Sequence, residues 1–154
     1  MKRLALVALL LGASLAGLPA LAQEHFTEGP VWAVSYYRTK PGKFDDYMKY
    51  LRANFVVTTA EEKKQGLILD SKILLNPAVR EEKDWDVLIA TLHTSYGKAL
   101  DFNQADEDKF KAIAEKHYKT KDEAKQREMA SPRFAMRDYL GTRYVREVSL
   151  KPLP

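Results

Sequence analysis

His93, at the end of the apolar run DVLIATLH, is the residue of this sequence best suited to do chemistry. A neutral imidazole can act as a base, a hydrogen-bond donor or a ligand near neutral pH. Tyr37 ends another apolar run, VWAVSYY. We expect these runs to be parallel strands side by side, which would place both side chains at one sheet edge as a catalytic pair. The alternative is that His93 only ends a strand and bonds to a backbone carbonyl.

The other histidines, His117 and His25, are weaker candidates. His117 lies on an apolar helical stripe, where it is either a core residue or a contact of a bound ligand, and His25 lies in the N-terminal segment. No histidine stands at a known zinc spacing from another histidine or from a carboxylate, so we predict no metal site and no cofactor. The chain has no cysteine, which excludes thiolate nucleophiles, disulfides and cysteine-ligated zinc.

Aromatic rings near the predicted strands indicate either ordinary core packing or a pocket for a small, largely apolar molecule. The sequences G-x-S-x-G, G-x-x-x-x-G-K-[ST] and G-x-G-x-x-G, which mark nucleophile elbows, phosphate loops and dinucleotide sites, do not occur. The residues that we expect to contact a ligand are Ser35, Tyr96, Phe102 and His117.

Four arginines lie close together near the C-terminus. Guanidinium groups there could bind a carboxylate or a phosphate. The alternative is ion pairing with acidic residues at the surface and at the rim of a dimer. These arginines are Arg133, Arg137, Arg143 and Arg146.

Residues 1–22 have the features of a cleaved signal peptide. Lys2 and Arg3 precede an apolar stretch, and Ala20-Leu21-Ala22 is the small-x-small pattern that signal peptidase accepts. The apolar stretch is shorter than the ~20 residues of a membrane-spanning helix. We therefore expect a periplasmic or secreted protein with no membrane partner after cleavage.

The rest of the chain is predicted to form one domain, 31–154, after a flexible N-terminus at 23–30. Removing the leader's two basic residues lowers the net charge from +4 to +2. With both signs interspersed, this charge gives no basic surface for nucleic acid. An exported domain without disulfides must rely on its hydrophobic core, and ~130 residues suffice for one.

Apolar periodicity predicts four strands and several helices. The strands are expected at 31–39, 67–75, 85–94 and 142–150. A helix follows Pro41-Gly42 and reaches Gly66, with a kink or break near the β-branched run 56–59. Ser95 opens a second helical region, and a capping box at Thr120 begins a further short helix that ends before Pro132.

This order of elements is a ferredoxin-like split βαββαβ arrangement, an α+β fold with an extra helical segment before the last strand. We expect a four-stranded antiparallel sheet with the helices on one face and with the first and third strands as parallel central neighbours. Strand residues of both alternations are apolar, as in Val31 to Val34 and Val87 to Ala90. Strands that are apolar on both faces are expected where both faces are buried. A homodimer that covers the open sheet face is the simplest solution.

The junction at Pro41-Gly42-Lys43-Phe44 and the run SYGKALDF after the third strand resemble those of the dimeric α/β-barrel superfamily. This superfamily includes antibiotic-biosynthesis-type monooxygenases and small haem-degrading monooxygenases. The resemblance implies the fold and the dimer more than an activity, because such folds host unrelated functions.

The haem-degrading members use an asparagine, a tryptophan and a haem-ligating histidine. By this resemblance, the corresponding positions are Ser35, Phe102 and Ala114, and all three differ, which argues against haem degradation by that scheme. His117, about one turn further on, could ligate haem in a shifted register.

Three functions remain open from the sequence. The first is an exported homodimer that binds a small, largely apolar molecule, as a cofactor-independent oxygenase or an isomerase-like enzyme with His93 and Tyr37 as catalytic residues. The second is a non-catalytic periplasmic ligand-binding or interaction domain. The third is a haem-binding protein.

Overall fold

A computed structural model describes residues 25–81 and 84–153. The predicted leader lies outside these residues. No helix of the described part is long and apolar enough to cross a membrane. In chain order the elements are β1 (Phe26–Thr39), α1 (Phe44–Ala53), α2 (Phe55–Lys64), β2 (Asp70–Leu75), β3 (Val87–His93), α3 (Tyr96–Leu100), α4 (Gln104–Tyr118), α5 (Glu123–Ala130), α6 (Pro132–Met136) and β4 (Arg137–Leu150).

The four strands form one open antiparallel sheet in the order β2-β3-β1-β4. This α+β architecture is compatible with the predicted ferredoxin-like fold. The expectation that the first and third strands run parallel is wrong, because β1 and β3 are antiparallel. The chain crosses over through α1 and α2, so β2 runs in the same direction as β1. The connection to β3 then reverses the chain, and β3 opposes both of its neighbours.

Strands β1 and β4 are longer than predicted and pair along most of their length. Phe26 pairs with Leu150 at one end, and Thr39 pairs with Arg137 at the other. The prediction of a flexible segment at 23–30 is therefore wrong from residue 26 onward. Gly29 and Pro30 are unfavourable in a regular strand, which is why this part of β1 was not predicted. They lie where the register shifts between Glu28 and Val31. A bulge tolerates proline and glycine, which a regular ladder disfavours.

The helical predictions hold in outline and differ in their boundaries. The helix after Pro41-Gly42 is broken, as expected, but at Asn54, before the β-branched run. The predicted capping box at Thr120 is wrong. Asp122 caps α5 instead, and its Oδ1 accepts hydrogen bonds from the backbone N–H groups of Ala124 and Lys125. Helix α5 ends at Ala130, before Pro132 as predicted, and α6 follows at once.

The hydrophobic core lies between the sheet and the helices. Tyr47 and Leu51 of α1 pack on Val87 and Ile89 of β3. Apolar side chains on one face of an amphipathic helix and on alternate positions of a strand meet in this way when a helix covers a sheet. A second buried cluster joins Leu67 and Ile68, before β2, to Ile113 of α4.

The opposite face of the sheet, called the open face below, is largely apolar. Its residues alternate along the strands with those that face the helices. Leu74 and Val145 are about half exposed on it, at 46% and 48%. The ring of Trp32 contacts Lys72 there, and its Nε1 donates a hydrogen bond to Oε1 of Glu147 at 2.6 Å. The apolar residues of the open face are Trp32, Val34, Tyr36, Leu74, Leu88, Ala90, Leu92 and Val145.

Candidate functional site

The predicted catalytic pair, His93 and Tyr37, is not brought together. In the antiparallel register of β1 and β3, His93 pairs with Val31, whereas Tyr37 pairs with Val87. Six residues of strand separate the two positions, which corresponds to about 20 Å. The prediction of one shared site failed because it required parallel strands.

Tyr37 instead lines a cavity of about 400 Å³ between the sheet and the helices, which we call the tyrosine–arginine cavity. Strands β1, β3 and β4 form its floor, and α1, α2, α4 and α6 form its walls. Of the ligand-binding candidates, Ser35 also lines it. The lining residues are Ser35, Tyr37, Tyr47, Tyr50, Leu51, Asn54, Phe55, Thr58, Ile89, Thr91, Tyr118, Arg133 and Arg137.

Arg137, the first residue of β4, is held among the tyrosine rings of this cavity. Its guanidinium carbon lies 3.7 Å from the ring centroid of Tyr37 and 5.3 Å from that of Tyr47. Stacking on an aromatic face fixes the plane of a guanidinium and leaves its N–H groups free to point sideways. The second arginine, Arg133 of α6, lines the same cavity.

Two buried polar atoms of the cavity lining have no hydrogen-bond partner among the described residues. They are the hydroxyl of Tyr47 and Nε of Arg137. Tyr47 is fully buried, at 0% exposure. Burial raises the pKa of Tyr47 well above its usual value, although the charge of Arg137 acts in the opposite direction. The phenol therefore keeps its proton and can donate a hydrogen bond.

Asn54 connects His117 to the cavity. Nε2 of His117 lies 2.9 Å from Oδ1 of Asn54, and Nδ2 of Asn54 donates to the carbonyl oxygen of Tyr50 at 2.9 Å. Because an amide oxygen only accepts, the hydrogen on His117 is at Nε2. His117 therefore fixes the side chain of Asn54 at the break between α1 and α2. His117 does not itself line the cavity, and its predicted contact with a ligand stays a prediction.

Ser35 belongs to a chain of hydroxyl groups at the sheet floor. Its Oγ lies 2.7 Å from Oγ1 of Thr142, which lies 2.7 Å from the hydroxyl of Tyr139. The ring of Tyr139 also contacts Tyr37, with 5.6 Å between centroids. These contacts hold the β4 side of the cavity in place.

The charge of the cavity lining is one-sided. Arg133 and Arg137 are cationic, and no aspartate or glutamate lines the cavity. Within residues 25–81 and 84–153, neither arginine takes part in an ion pair. The cavity is therefore a positively charged space with hydroxyl and aromatic walls.

His93 and Phe102 line a separate pocket of about 360 Å³ at the other end of the sheet. Burial lowers the pKa of His93, and its Nδ1 has no hydrogen-bond partner among the described residues. The pocket is shallow on one side, because Phe102 is 77% exposed. Lys98 and Asp106 form an ion pair across it. Tyr96 lies outside both pockets, and its ring is contacted by the guanidinium of Arg146, 4.6 Å from the centroid.

A larger depression of about 770 Å³ lies around Pro41-Gly42. Its buried polar groups satisfy one another, since the backbone N–H of Thr39 donates to Oδ1 of Asp86 at 2.9 Å and its hydroxyl bonds to Oδ2. The tyrosine–arginine cavity is smaller, but two of its lining side chains carry buried polar atoms without partners among the described residues, against one in the pocket of His93 and none in this depression, and it is therefore the better candidate site.

The central residue of this cavity, Tyr47, could not be singled out from the sequence alone. It lies on the buried side of α1, and its hydroxyl is buried together with the ring. Arg133 and Arg137 were noted as possible anion ligands without a location. The described part of the chain contains no group of three or more aspartate, glutamate, histidine or cysteine residues that could hold a metal ion.

Comparison with known proteins gives no relative. The chain matches no protein-family model, no curated protein and no solved structure.

Proposed function

We propose that this protein binds a small organic molecule in the tyrosine–arginine cavity. The observation that carries the proposal is a pair of buried polar atoms without a partner among the described residues, the Tyr47 hydroxyl and Arg137 Nε, in two side chains that line the cavity. Buried polar groups in native proteins are almost always hydrogen-bonded, and a group left without a partner costs roughly 1–3 kcal/mol. A ligand that bonds to both atoms removes that cost.

Binding is favoured over acid–base catalysis by the chemistry of the lining. Its polar side chains are hydroxyls, an amide and guanidiniums, and none of these changes its protonation near neutral pH. An oxygenase or isomerase with His93 and Tyr37 as partners is not proposed, because the two side chains lie at opposite ends of the strands. Haem ligation by His117 is not proposed: its Nε2 lies 2.9 Å from Oδ1 of Asn54, which leaves only Nδ1 as a possible ligand atom.

A titration with naphthamide, a neutral aromatic molecule, tests the proposal. We expect calorimetry to show saturable binding of naphthamide to the wild type. This binding should be lost in Thr91→Phe, because the larger side chain fills the cavity from the sheet. Thr94→Phe is the matched control, because Thr94 is exposed just beyond β3 and does not line the cavity. Absence of saturable binding, or equal binding by the Thr91 variant, would refute the proposed function.

We further propose that two copies pair through their open faces to form a dimeric barrel. The apolar centre of the face is bordered by Asp70, Lys72, Arg143 and Glu147, two residues of each charge. A two-fold axis places the same patch on both chains, so an interface needs opposite charges on one surface. Covering the half-exposed side chains would remove apolar area of the kind that soluble monomers rarely expose.

Neighbouring residues of β2 provide a matched test of the dimer. Leu74 lies on the open face and Leu75 on the helix side, and both are about half exposed, at 46% and 49%. Sedimentation of residues 23–154 should show a dimer for the wild type and for Leu75→Asp. Leu74→Asp should give a folded monomer, with circular dichroism as the check of folding. A wild-type monomer at micromolar concentration would contradict the pairing.

Export is part of the same proposal and rests on the sequence of residues 1–22. The basic start, the apolar stretch and the Ala-Leu-Ala sequence support cleavage after Ala22. Expression of the full chain in a bacterium, followed by intact-mass measurement of the periplasmic fraction, should give a protein that begins at Gln23. An uncleaved chain confined to the cytoplasm would contradict export.

A further inference from the structure

We propose that the tyrosine–arginine cavity selects an aromatic carboxylate, with the carboxylate bound by Arg137 and assisted by Arg133 and Tyr47. This inference rests on the proposed function, because it names the class of ligand for the same cavity. It goes further by assigning a charge to that ligand and a role to each of these three side chains.

The first argument is the charge of the lining. Arg137 and Arg133 line a space bordered by no carboxylate, and neither has an ion-pair partner in the described parts of the chain. Arg133 also lines a neighbouring pocket with Glu107 and Glu123. A cation taken partly out of water is unfavourable unless an anion or several hydrogen bonds compensate for the lost hydration. Other arginines of the same protein do have such partners, for example Arg146 with Glu28 and Arg127 with Glu123. The missing partner in the cavity is therefore an anion.

The second argument is the geometry of Arg137. Its guanidinium carbon lies over the Tyr37 ring, 3.7 Å from the centroid, and this contact restricts the movement of the group. No hydrogen bond joins its side chain to any described residue, and its Nε is buried. A planar fork of free N–H groups matches the two oxygens of a carboxylate. A neutral amide or alcohol would satisfy only part of this fork.

Tyr47 is also suited to an anion, because its hydroxyl keeps its proton. Burial raises the pKa of its hydroxyl, so the group stays a donor in the presence of the neighbouring Arg137. A buried phenol beside a free guanidinium provides donors and little acceptor capacity. Such a set of donors is suited to an oxyanion, which only accepts hydrogen bonds.

The aromatic part of the ligand follows from the rings of the cavity. Tyr47 lies between Tyr37 and Tyr50, with ring centroids 6.3 Å and 6.5 Å apart. Aromatic pairs prefer offset or edge-to-face arrangements at such distances, so a planar ligand adds to an existing series of ring contacts. A cavity of about 400 Å³ accommodates a molecule of one or two fused rings with a carboxylate.

Naphthoate and naphthamide differ only in the charged group and separate this inference from the proposed function. Calorimetry should show that the wild type binds naphthoate at least about 10-fold more tightly than naphthamide. Arg137→Met should lower the affinity for naphthoate by about 10- to 100-fold and that for naphthamide by a clearly smaller factor, because the carboxylate loses a charge-assisted hydrogen bond and the amide only a neutral one. Arg52→Met is the matched control, because Arg52 is exposed on α1 outside the cavity, and it should change neither affinity.

Each outcome decides one of the two proposals. Equal affinity of the wild type for the two probes would overturn the selection of an anion and leave the small-molecule cavity intact. An equal fall in affinity for both probes in Arg137→Met would show that the residue supports the cavity and does not select a charge. Absence of binding of either probe to the wild type would refute the proposed function itself.

Discussion

Replacement of Tyr47 by phenylalanine should stabilise the ligand-free protein and lower its affinity for the ligand. The substitution removes only the hydroxyl oxygen, which is buried and has no hydrogen-bond partner among the described residues. The ring remains and keeps its contacts with Tyr37, Leu51 and Val87 in the core. A change that usually costs stability is thus expected to have the opposite sign here.

The magnitude follows from the cost of a polar group without a partner. Burying a hydroxyl that makes no hydrogen bond costs roughly 1–3 kcal/mol, and relaxation around the site reduces the recoverable part. We expect the free energy of unfolding of Tyr47→Phe to rise by about 1 kcal/mol, and the melting temperature by about 3 °C for a domain of this size. The affinity for naphthoate should fall by about 5- to 10-fold, because one donor to the carboxylate is lost.

Urea denaturation of Tyr47→Phe and Tyr50→Phe provides the comparison. Tyr50 lies next to Tyr47 along the ring series, but its hydroxyl donates to the carbonyl oxygen of Ala130 at 3.3 Å. Removing this hydroxyl deprives a buried carbonyl of its partner, so Tyr50→Phe should lower the free energy of unfolding by about 1 kcal/mol. The two substitutions remove the same group, from a fully buried ring without a partner in Tyr47 and from a partly buried ring with a partner in Tyr50.

The pH dependence of the same variant gives an independent check. Because burial raises the pKa of Tyr47, the unfolded chain releases this phenolic proton near pH 10, whereas the folded chain retains it. The wild type should therefore lose stability above about pH 10 more steeply than Tyr47→Phe. If Tyr47→Phe is instead less stable than the wild type at neutral pH, the hydroxyl has a partner in the folded protein and the argument for a ligand at that position fails.

Two further predictions concern His93 and the cap of α5. Because burial lowers the pKa of His93, the unfolded chain binds a proton more readily than the folded chain below the usual value of 6.5, and the free energy of unfolding should fall as the pH drops through that region. Urea denaturation at several pH values should show a smaller fall for His93→Gln than for the wild type. An equal fall in both proteins would mean that another group is responsible. Asp122→Ala removes the acceptor of two backbone N–H groups at the start of α5 and should cost about 1 kcal/mol by the same measurement, whereas Asp108→Ala, on the exposed side of α4, should cost little.

The architecture was predictable because each element carries a strong local signal. Runs rich in β-branched and aromatic residues predicted the strands, and apolar residues at helical spacing, which include Tyr47 and Leu51, predicted α1. Strand direction was not a local property. It depends on whether each connection crosses over the sheet or reverses the chain, and for β3 the predicted direction was wrong. With β3 parallel to β1, His93 was expected at the same sheet edge as Tyr37. In the antiparallel register the two residues lie at opposite ends of the strands and form no catalytic pair.

The candidate site was only partly predictable for a related reason. Ser35 and Tyr37 were chosen from a strand that does form the floor of the cavity. Arg137 and Tyr47 are ten and more positions away from Ser35 and Tyr37 along the chain, and they come together because β1 pairs with β4 and α1 packs on the sheet. A site that is built from charges and rings of separate elements leaves no spacing pattern in the sequence.

The pairing of β1 with β4 also has a consequence for how the chain folds. Phe26 and Leu150 are partners, so the longest ladder of the sheet joins the two ends of the domain. Contacts between residues so far apart in sequence slow folding, because a large loop must close before they form. Until the last strand has been synthesised, β1 lacks one neighbour and presents an unpaired edge. We expect fragments that end before Arg137 to aggregate. Joining residues 26 and 150 through a short linker, with new ends opened at the exposed connection near Arg80, should give a circular permutant that folds.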